Sequence, residues 1–391
     1  MMSVLNLQFR SIKFEFIFAF ALASILFDRF RLGGRIGIGE ILVAFSVYIA
    51  SIILLTNYKK INIDDLGKKY VLALIFFLFI CIIPNTIHTF TMGIYSKSSL
   101  ADILAYATCF FFIASIAFLN LNHNVIAIIC LFMICIFTLP FIGSGDAWYG
   151  DTRFSGGSDN PNRLAIYLLS SLALLSQVKL NFFSKLVYAL VLTVLIYFTL
   201  SDAARLGYIA MILTFIFLAG CRSPYILPIY LSIIVLLIFF VFLNFNAIIN
   251  FFIDLWYAAS TSNYRFNLIS TGINAWLENS FTFLIGHGSG SFAGFAGPYE
   301  GWEAHSTPVD ILTIGGIFGF ALFYGPLIYC IFEFIRQRNN FAASCLVGLI
   351  IFSLFAFVAR HPIIWFVIYC SLMNCKIKEI KEIKEIKEIK N

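Results

Sequence analysis

The stretch EGWEAHSTPVDILTIGGIFG, residues 300–319, passes from a polar loop into an apolar run, with a lone histidine, His305, at the join. Ser306 and Thr307 precede Pro308, which suits the first turn of a helix because that turn has no use for its missing N–H. The apolar run continues to about residue 333. A run of this length can cross the roughly 30 Å hydrocarbon core of a bilayer as a helix. In lipid every backbone polar group must be satisfied within the protein, so such a run is helical.

The same pattern recurs along the chain. The 391 residues are 61% hydrophobic and 12% charged, far more apolar than a soluble domain requires. The expected class is an all-α polytopic membrane protein of about twelve transmembrane helices. The spans fall near 14–31, 38–56, 70–90, 100–119, 125–143, 162–178, 183–200, 206–220, 225–247, 307–333, 341–358 and 361–375. The first, beginning FEFIFAFALASILF, is expected to be a retained span that also targets the chain, since no small-residue cleavage site follows it. Residues 1–375 read as one transmembrane domain with a long outer loop at 248–306. The tail KIKEIKEIKEIKEIKN, 376–391, is a charged three-residue repeat, expected as a cytoplasmic helix or a solvated tail without a part in chemistry. The nine cysteines lie mostly in apolar runs with no CxxC and no His/Cys cluster, which suits small packing residues.

Basic residues orient the chain. With the N-terminus inside, the outer segments hold eight arginines (Arg29, Arg31, Arg35, Arg153, Arg163, Arg205, Arg265 and Arg360) and one lysine, Lys97. The inner segments hold thirteen lysines and four arginines. Topology alone would not sort the two cations this way. Guanidinium is a planar fork that grips phosphate with two bonds, and ammonium is a point charge. The outer face is therefore expected to bind phosphate, although Arg29, Arg31 and Arg35 equally suit snorkelling anchors.

Four outer stretches carry the candidate residues. In RFSGGSDNPNRLAIYLL, 153–169, NPN is a turn entering a helix, capped by Asn160 or Asn162, with Arg153 and Arg163 on either side. In TLSDAARLGYIAM, 199–211, Arg205 stands at a boundary as a phosphate ligand, an interface anchor or a partner of Asp202. In YRFNLISTGINAWLENSFTFLIGHGSGSF, 264–292, Arg265 opens an amphipathic helix. GHGSGSF, with Gly288 and Gly290, has no GK[ST] and lets the chain turn tightly or approach a ligand. His287 there reads as a loop residue. In the opening stretch His305 suits proton abstraction near neutral pH, or it serves only as a satisfied or capping residue. Glu300, Glu303 and Asp310 are rivals for the base role.

In this order the four stretches resemble the O-antigen ligase and surface-polysaccharide polymerase superfamily of bacterial membrane glycosyltransferases. The matching features are Arg153 to Asn162, then Arg205, then Arg265 with Gly286–Phe292, then His305–Ser306 with Gly316–Gly319. They cover about 140–335. Arg205 follows Ala204 where the pattern usually has Ser. The resemblance implies an inner-membrane enzyme whose active site faces the periplasm, with the 248–306 loop on that side. It implies transfer of a glycan from undecaprenyl diphosphate to an acceptor hydroxyl, with no nucleotide sugar, no metal and no other cofactor. His305 would activate the acceptor. Arg205 and Arg265 would stabilise the departing pyrophosphate, and Arg153, Asn162, Arg163, Gly288, Gly290, Glu303 and Ser306 would contact substrate. The partners implied are the lipid-linked oligosaccharide, an acceptor glycan or lipid A-core, the bilayer, a chain-length regulator and a flippase, with no nucleic acid. Trp148, Trp256, Trp276 and Trp302 suit either sugar stacking or an interfacial belt. A polymerase of repeat units is the leading expectation, on the Phe/Ile/Asn/Lys-heavy composition. A ligase acting on lipid A-core is the alternative, and a transporter or flippase the second alternative. A transporter would carry its charges at mid-membrane within repeats; here they lie at the boundary.

Overall fold

The computed structural model describes residues 14–32, 36–56, 65–92, 97–150, 152–221, 228, 232, 264–289 and 303–390. It is mostly helical. The helices are α1 (Phe14–Phe27, its end a tighter 3-10 turn), α2 (Ile38–Thr56), α3 (Asp65–Met92), α4 (Lys97–Phe118) and α5 (His123–Thr138). They continue as α6 (Pro161–Gln177), α7 (Phe182–Phe198), α8 (Asp202–Gly220), α9 (Tyr264–Trp276) and α10 (Ser280–Ile285). The last three are α11 (Thr307–Arg336), α12 (Asn340–Ser353) and α13 (Pro362–Lys390). Two short antiparallel ribbons, Arg31–Leu32 with Ile36–Gly37 and Trp148–Tyr149 with Arg153–Phe154, tighten two of the connections.

Five helices are long and apolar enough to cross a membrane: α2, the Leu66–Pro84 part of α3, α5 with its 3-10 extension to Gly143, α8 and α11. The apolar parts of α1, α4, α7, α12 and α13 are shorter, at 10–17 residues. Eleven expected spans thus coincide with helices, but length supports a crossing for only five. The twelfth, 225–247, lies outside the described residues, as do most of the 248–306 loop, Arg35, Gly290, Glu300, Trp256 and Trp302. The tail continues α13 as helix through Lys390, in line with the helical alternative.

Helix α6 sits at the centre. Every residue from Leu164 to Ser176 is buried, including Ser170 and Ser171. The apolar part of α13 is buried almost as completely. On the periphery, by contrast, large apolar side chains point outward; Leu55 of α2 is 78% exposed and Phe182 of α7 81%. This arrangement fits a lipid surround, since such side chains would otherwise meet water. Helices α8 and α12 cross at Gly207 and Gly348. A Cβ on either glycine would lie 2.7 Å from the other's carbonyl oxygen, so the contact requires small residues.

Polar contacts collect in two layers. In one, Arg163 pairs with Asp28, Arg153 Nε donates to Thr199 O at 3.3 Å, and Arg360 pairs with Asp102 and Glu303. In the other, Asn122 N–H donates to Glu15 at 2.7 Å and Gln177 Nε2 donates to Ser371 Oγ at 2.9 Å, while Gln337 Nε2 donates to Cys375 O at 3.0 Å. Helix α6 carries Arg163 in the first layer and Gln177 in the second, fourteen residues or about 21 Å apart.

The decisive local feature is a break in α11. Gly316 has φ +57 and ψ −156, so the ladder is interrupted there. The freed carbonyls are taken by the segment after α10: His287 N–H donates to Thr313 O at 2.7 Å and Gly288 N–H to Ile314 O at 2.9 Å. Ser289 N–H reaches Cys81 O of α3 at 3.3 Å. Gly286 (φ +78) and Gly288 (φ +88) adopt conformations that side chains disfavour. The GHGS segment is therefore a buried plug in the helix break, where a surface turn was one expectation. A Cβ on Gly316 would collide with the backbone of Leu284, whereas one on Gly325 of the same helix would meet nothing within 4 Å. Overpacking of this kind costs roughly 1–3 kcal/mol. Gly316→Ala is expected to lower the thermal midpoint of the detergent-solubilised protein by several degrees, with Gly325→Ala unchanged; equal midpoints would refute the plug.

Candidate functional site

The segment 303–307 lies in the first layer and is held from three directions. Glu303 pairs with Arg360. Ala304 N–H donates to Asp310 Oδ1 at 2.8 Å, and Ser306 N–H to Asp310 Oδ2 at 3.2 Å. Thr307 Oγ1 donates to Ala356 O at 2.5 Å and accepts from Val358 N–H at 2.9 Å, fixing the segment to the α12–α13 connection. Between these anchors His305 is exposed, with φ +54. A non-glycine residue pays about 1–2 kcal/mol to sit in the left-handed region, and such positions concentrate where the surroundings over-determine them.

Helix α9 lies beside this segment. Leu268 packs with Ala304 and Val309, and Thr313 Oγ1 donates to Gly272 O at 3.3 Å. Arg265, one turn before Leu268, therefore starts its helix at the level of His305; its side chain is outside the described residues.

The other arginines differ in how fully they are engaged. Arg163 pairs with Asp28, which is 2% exposed, and lies 4.0 Å from Asp159. The other Asp28 oxygen accepts Asp159 N–H at 2.9 Å, so one carboxylate ties the SGGSDNPN loop to the end of α1. Asn160 caps α6 by accepting Asn162 N–H at 2.8 Å, while Asn162 Oδ1 accepts from Arg153 at 3.1 Å. Arg29 donates to Asp146 O and, at 3.3 Å, to Ser155 Oγ; it works as a loop tie, and the anchor reading is set aside. Arg205 is the freest of the described outer arginines. It is 39% exposed and 3.5 Å from Asp202, which is itself 90% exposed, and it lies over the Tyr197 ring at 5.7 Å.

Several candidates thus sit as scaffold. Asn162, Arg163 and Glu303 are engaged by internal partners, Ser306 is buried, and the Gly288 N–H is occupied inside the plug. Each of these residues is thus tied to the fold by an internal contact. His287 is a loop residue, as expected, but a buried one: its Nε2–H donates to Ala275 O at 2.9 Å and lies 3.2 Å from Glu278. Trp148 and Trp276 are packed, the first donating to Ile142 O and the second stacked on Phe283.

Sequence reasoning missed the partners at the centre. Arg360 is counted there as an outer arginine but not as a site residue, and Asp28 and Asp102 are passed over. Burial works against the Arg360 charge, but Asp102 and Glu303 outweigh it and hold its pKa above the ordinary value. Beside it His361 stands edge-on to Tyr167 at 6.0 Å. Among the described residues no group of three or more His, Cys, Asp or Glu is placed to hold a metal ion.

No family model and no curated protein matches the chain.

The Asp28–Arg163 pair makes a stability prediction. Removing one partner strands a buried charge, which costs roughly 3–5 kcal/mol when fully enclosed. Arg163→Ala should cost somewhat less, because the Arg163 side chain is 29% exposed. Thermal unfolding should show that loss, and the Asp28→Asn/Arg163→Met double variant should recover most of it. A double variant no better than the single would mean that the pair is not the anchor of the loop.

Proposed function

We propose that this protein is a glycosyltransferase of the O-antigen ligase and surface-polysaccharide polymerase superfamily, and specifically a polymerase of lipid-linked repeat units. It sits in the bacterial inner membrane with its arginine layer facing the periplasm. The observation that carries the reading is the exposed, conformationally constrained His305 in the same layer as an open arginine, Arg205. The ordered motifs from Arg153 to Gly319 supply the class of donor.

The donor is a repeat unit on undecaprenyl diphosphate, and the acceptor is a sugar hydroxyl of another lipid-linked glycan. The acceptor oxygen attacks the anomeric carbon and forms the new glycosidic bond. The bond from that carbon to the pyrophosphate oxygen breaks, and undecaprenyl diphosphate leaves with the electron pair. The hydroxyl proton passes to His305 Nδ1 or Nε2. His305 suits this role because its ring is exposed and can offer a lone pair, while the nearby Glu303 and Asp310 carboxylates are engaged. Arg205, with Arg265, stabilises the negative charge that grows on the leaving pyrophosphate. The remaining arginines shape the layer.

The test is deletion of the gene in its host, followed by complementation and analysis of the surface glycan on a gel. Core capped with a single repeat unit is the expected result. Bare core with long chains retained on undecaprenyl diphosphate would make the protein a ligase, and an unchanged glycan would remove both readings for that polymer. His305→Ala should restore no transfer although it inserts normally. Arg205→Lys should fall at least about tenfold, close to Arg205→Ala, because a point charge does not replace the fork; wild-type transfer in Arg205→Lys would remove the clamp.

A further inference from the structure

We infer that Asp310 is the positioning residue of this site: it fixes His305 in its outward, left-handed pose by taking both backbone N–H groups that flank it. The inference rests on the proposed role of His305 and adds to it the group that sets its geometry.

The geometry is specific. Asp310 lies in the first turn and a half of α11, buried at 2% exposure. Its two oxygens do not share one donor. Oδ1 accepts from Ala304, immediately before His305, and Oδ2 from Ser306, immediately after it. The carboxylate thus brackets a single residue, and that residue is His305 at φ +54. Left-handed backbone at a non-glycine residue relaxes unless neighbouring peptides are held. Holding the peptide on each side leaves the intervening side chain one direction, outward. Ser306 stands at the N-cap position of α11 with no side-chain cap bond, and its own backbone N–H is taken by the Asp310 carboxylate. The other two anchors act further away: Glu303–Arg360 holds the residue two before His305, and Thr307 holds the residue two after it.

The chemistry fits a positioning part better than that of a base. Both Asp310 oxygens are spent as acceptors for backbone N–H groups, one on each side of His305. A general base must be within hydrogen-bond reach of the proton it removes. Asp310 is buried beneath the segment, while the exposed His305 is held above it. Misplacement of a reacting group by about 1 Å costs on the order of a hundredfold in rate, so a side chain on strained backbone needs this grip.

The variants Asp310→Asn and Asp310→Glu separate positioning from packing. Asn has the volume of Asp but offers one acceptor, and its amide opposes the second N–H. Glu is larger but keeps two acceptor oxygens. The full-length protein is expressed in the deletion host, with equal membrane levels verified, and glycan transfer is read together with backbone amide exchange over 303–307. Asp310→Asn is expected to lower transfer at least about tenfold and to speed exchange at Ala304 and Ser306, with exchange in α6 unchanged. Asp310→Glu is expected to recover a third or more of the transfer. Transfer in Asp310→Asn above half of wild type would overturn the inference, and so would Asn outperforming Glu, which is the order that packing demands. His305→Ala is run beside them. Full transfer there would remove the His305 reading itself, while the exchange measurement still reports whether Asp310 holds the two amides.

Discussion

The break in α11 at Gly316 frees backbone carbonyls of the buried residues Thr313 and Ile314, and much of the first polar layer follows from how the chain fills that gap. In an unbroken helix Thr313 and Ile314 would accept from Ile317 and Phe318. With Gly316 out of helical conformation they accept from His287 and Gly288 instead. Irregular backbone at membrane depth is tolerated only where protein encloses and satisfies it. The plug must come close, so Gly286 carries no side chain; a Cβ there would lie 2.5 Å from the Ile314 carbonyl carbon. Once the plug is seated, His287 donates to Ala275 and stands beside Glu278, closing the connection between α9 and α10. Helix α9 is thereby laid along the first turns of α11, which brings Leu268 to Ala304 and the start of α9 to the level of His305.

The charged groups of the layer are arranged by the same economy of burial. Asp28, Asp102, Glu303 and Asp310 are each engaged by a guanidinium or by backbone N–H groups. Paired burial of this kind adds little net stability, since desolvation cancels most of the attraction. Its effect is on placement: Asp28 with Arg163 ties the 153–163 loop to α1, and Arg360 ties the α12–α13 connection to α4 and to the His305 segment. The loops that surround the site are fixed by groups that cannot separate without stranding a charge. What the arrangement leaves accessible is a short set, chiefly Arg205 and His305.

Most helices were legible because apolar run length is a local property, and eleven of the described helices fall on runs that read as spans, whereas α10 falls on none. The cap at NPN was legible for the same reason: Asn160 accepts from the residue two places on. The GHGS plug was not. A glycine-rich segment reads alike whether it turns in water or lies against another backbone, and its match to Gly316 depends on a partner some thirty residues away. Arg360 and Asp102 were missed on the same ground, since they are 258 residues apart and nothing in either neighbourhood names the other. Asp310 was visible but read as a rival base. Its spacing, four residues after Ser306 in the first turns of a helix, also suits a carboxylate that reaches back to the loop before it, and that use is the one observed. The split between arginine and lysine was informative about the layer but not about availability, because the residues of opposite charge that occupy Arg163 and Arg360 lie on other helices.

The proposed proton acceptor then follows from occupancy. Three titratable side chains lie within 303–310. Glu303 faces a guanidinium that also binds Asp102, and releasing it would leave Arg360 half-paired in a buried site. Both Asp310 oxygens already accept backbone N–H groups, from Ala304 and Ser306. His305 has neither commitment: it is exposed, and its backbone strain is borne by its neighbours. A base must combine a free lone pair with a fixed position, and these two demands usually conflict, because the contacts that fix a side chain also occupy it. Here the fixing is done through the backbone, by Asp310, which leaves the imidazole itself open toward the boundary where the proposed lipid-linked donor and lipid-linked acceptor would meet.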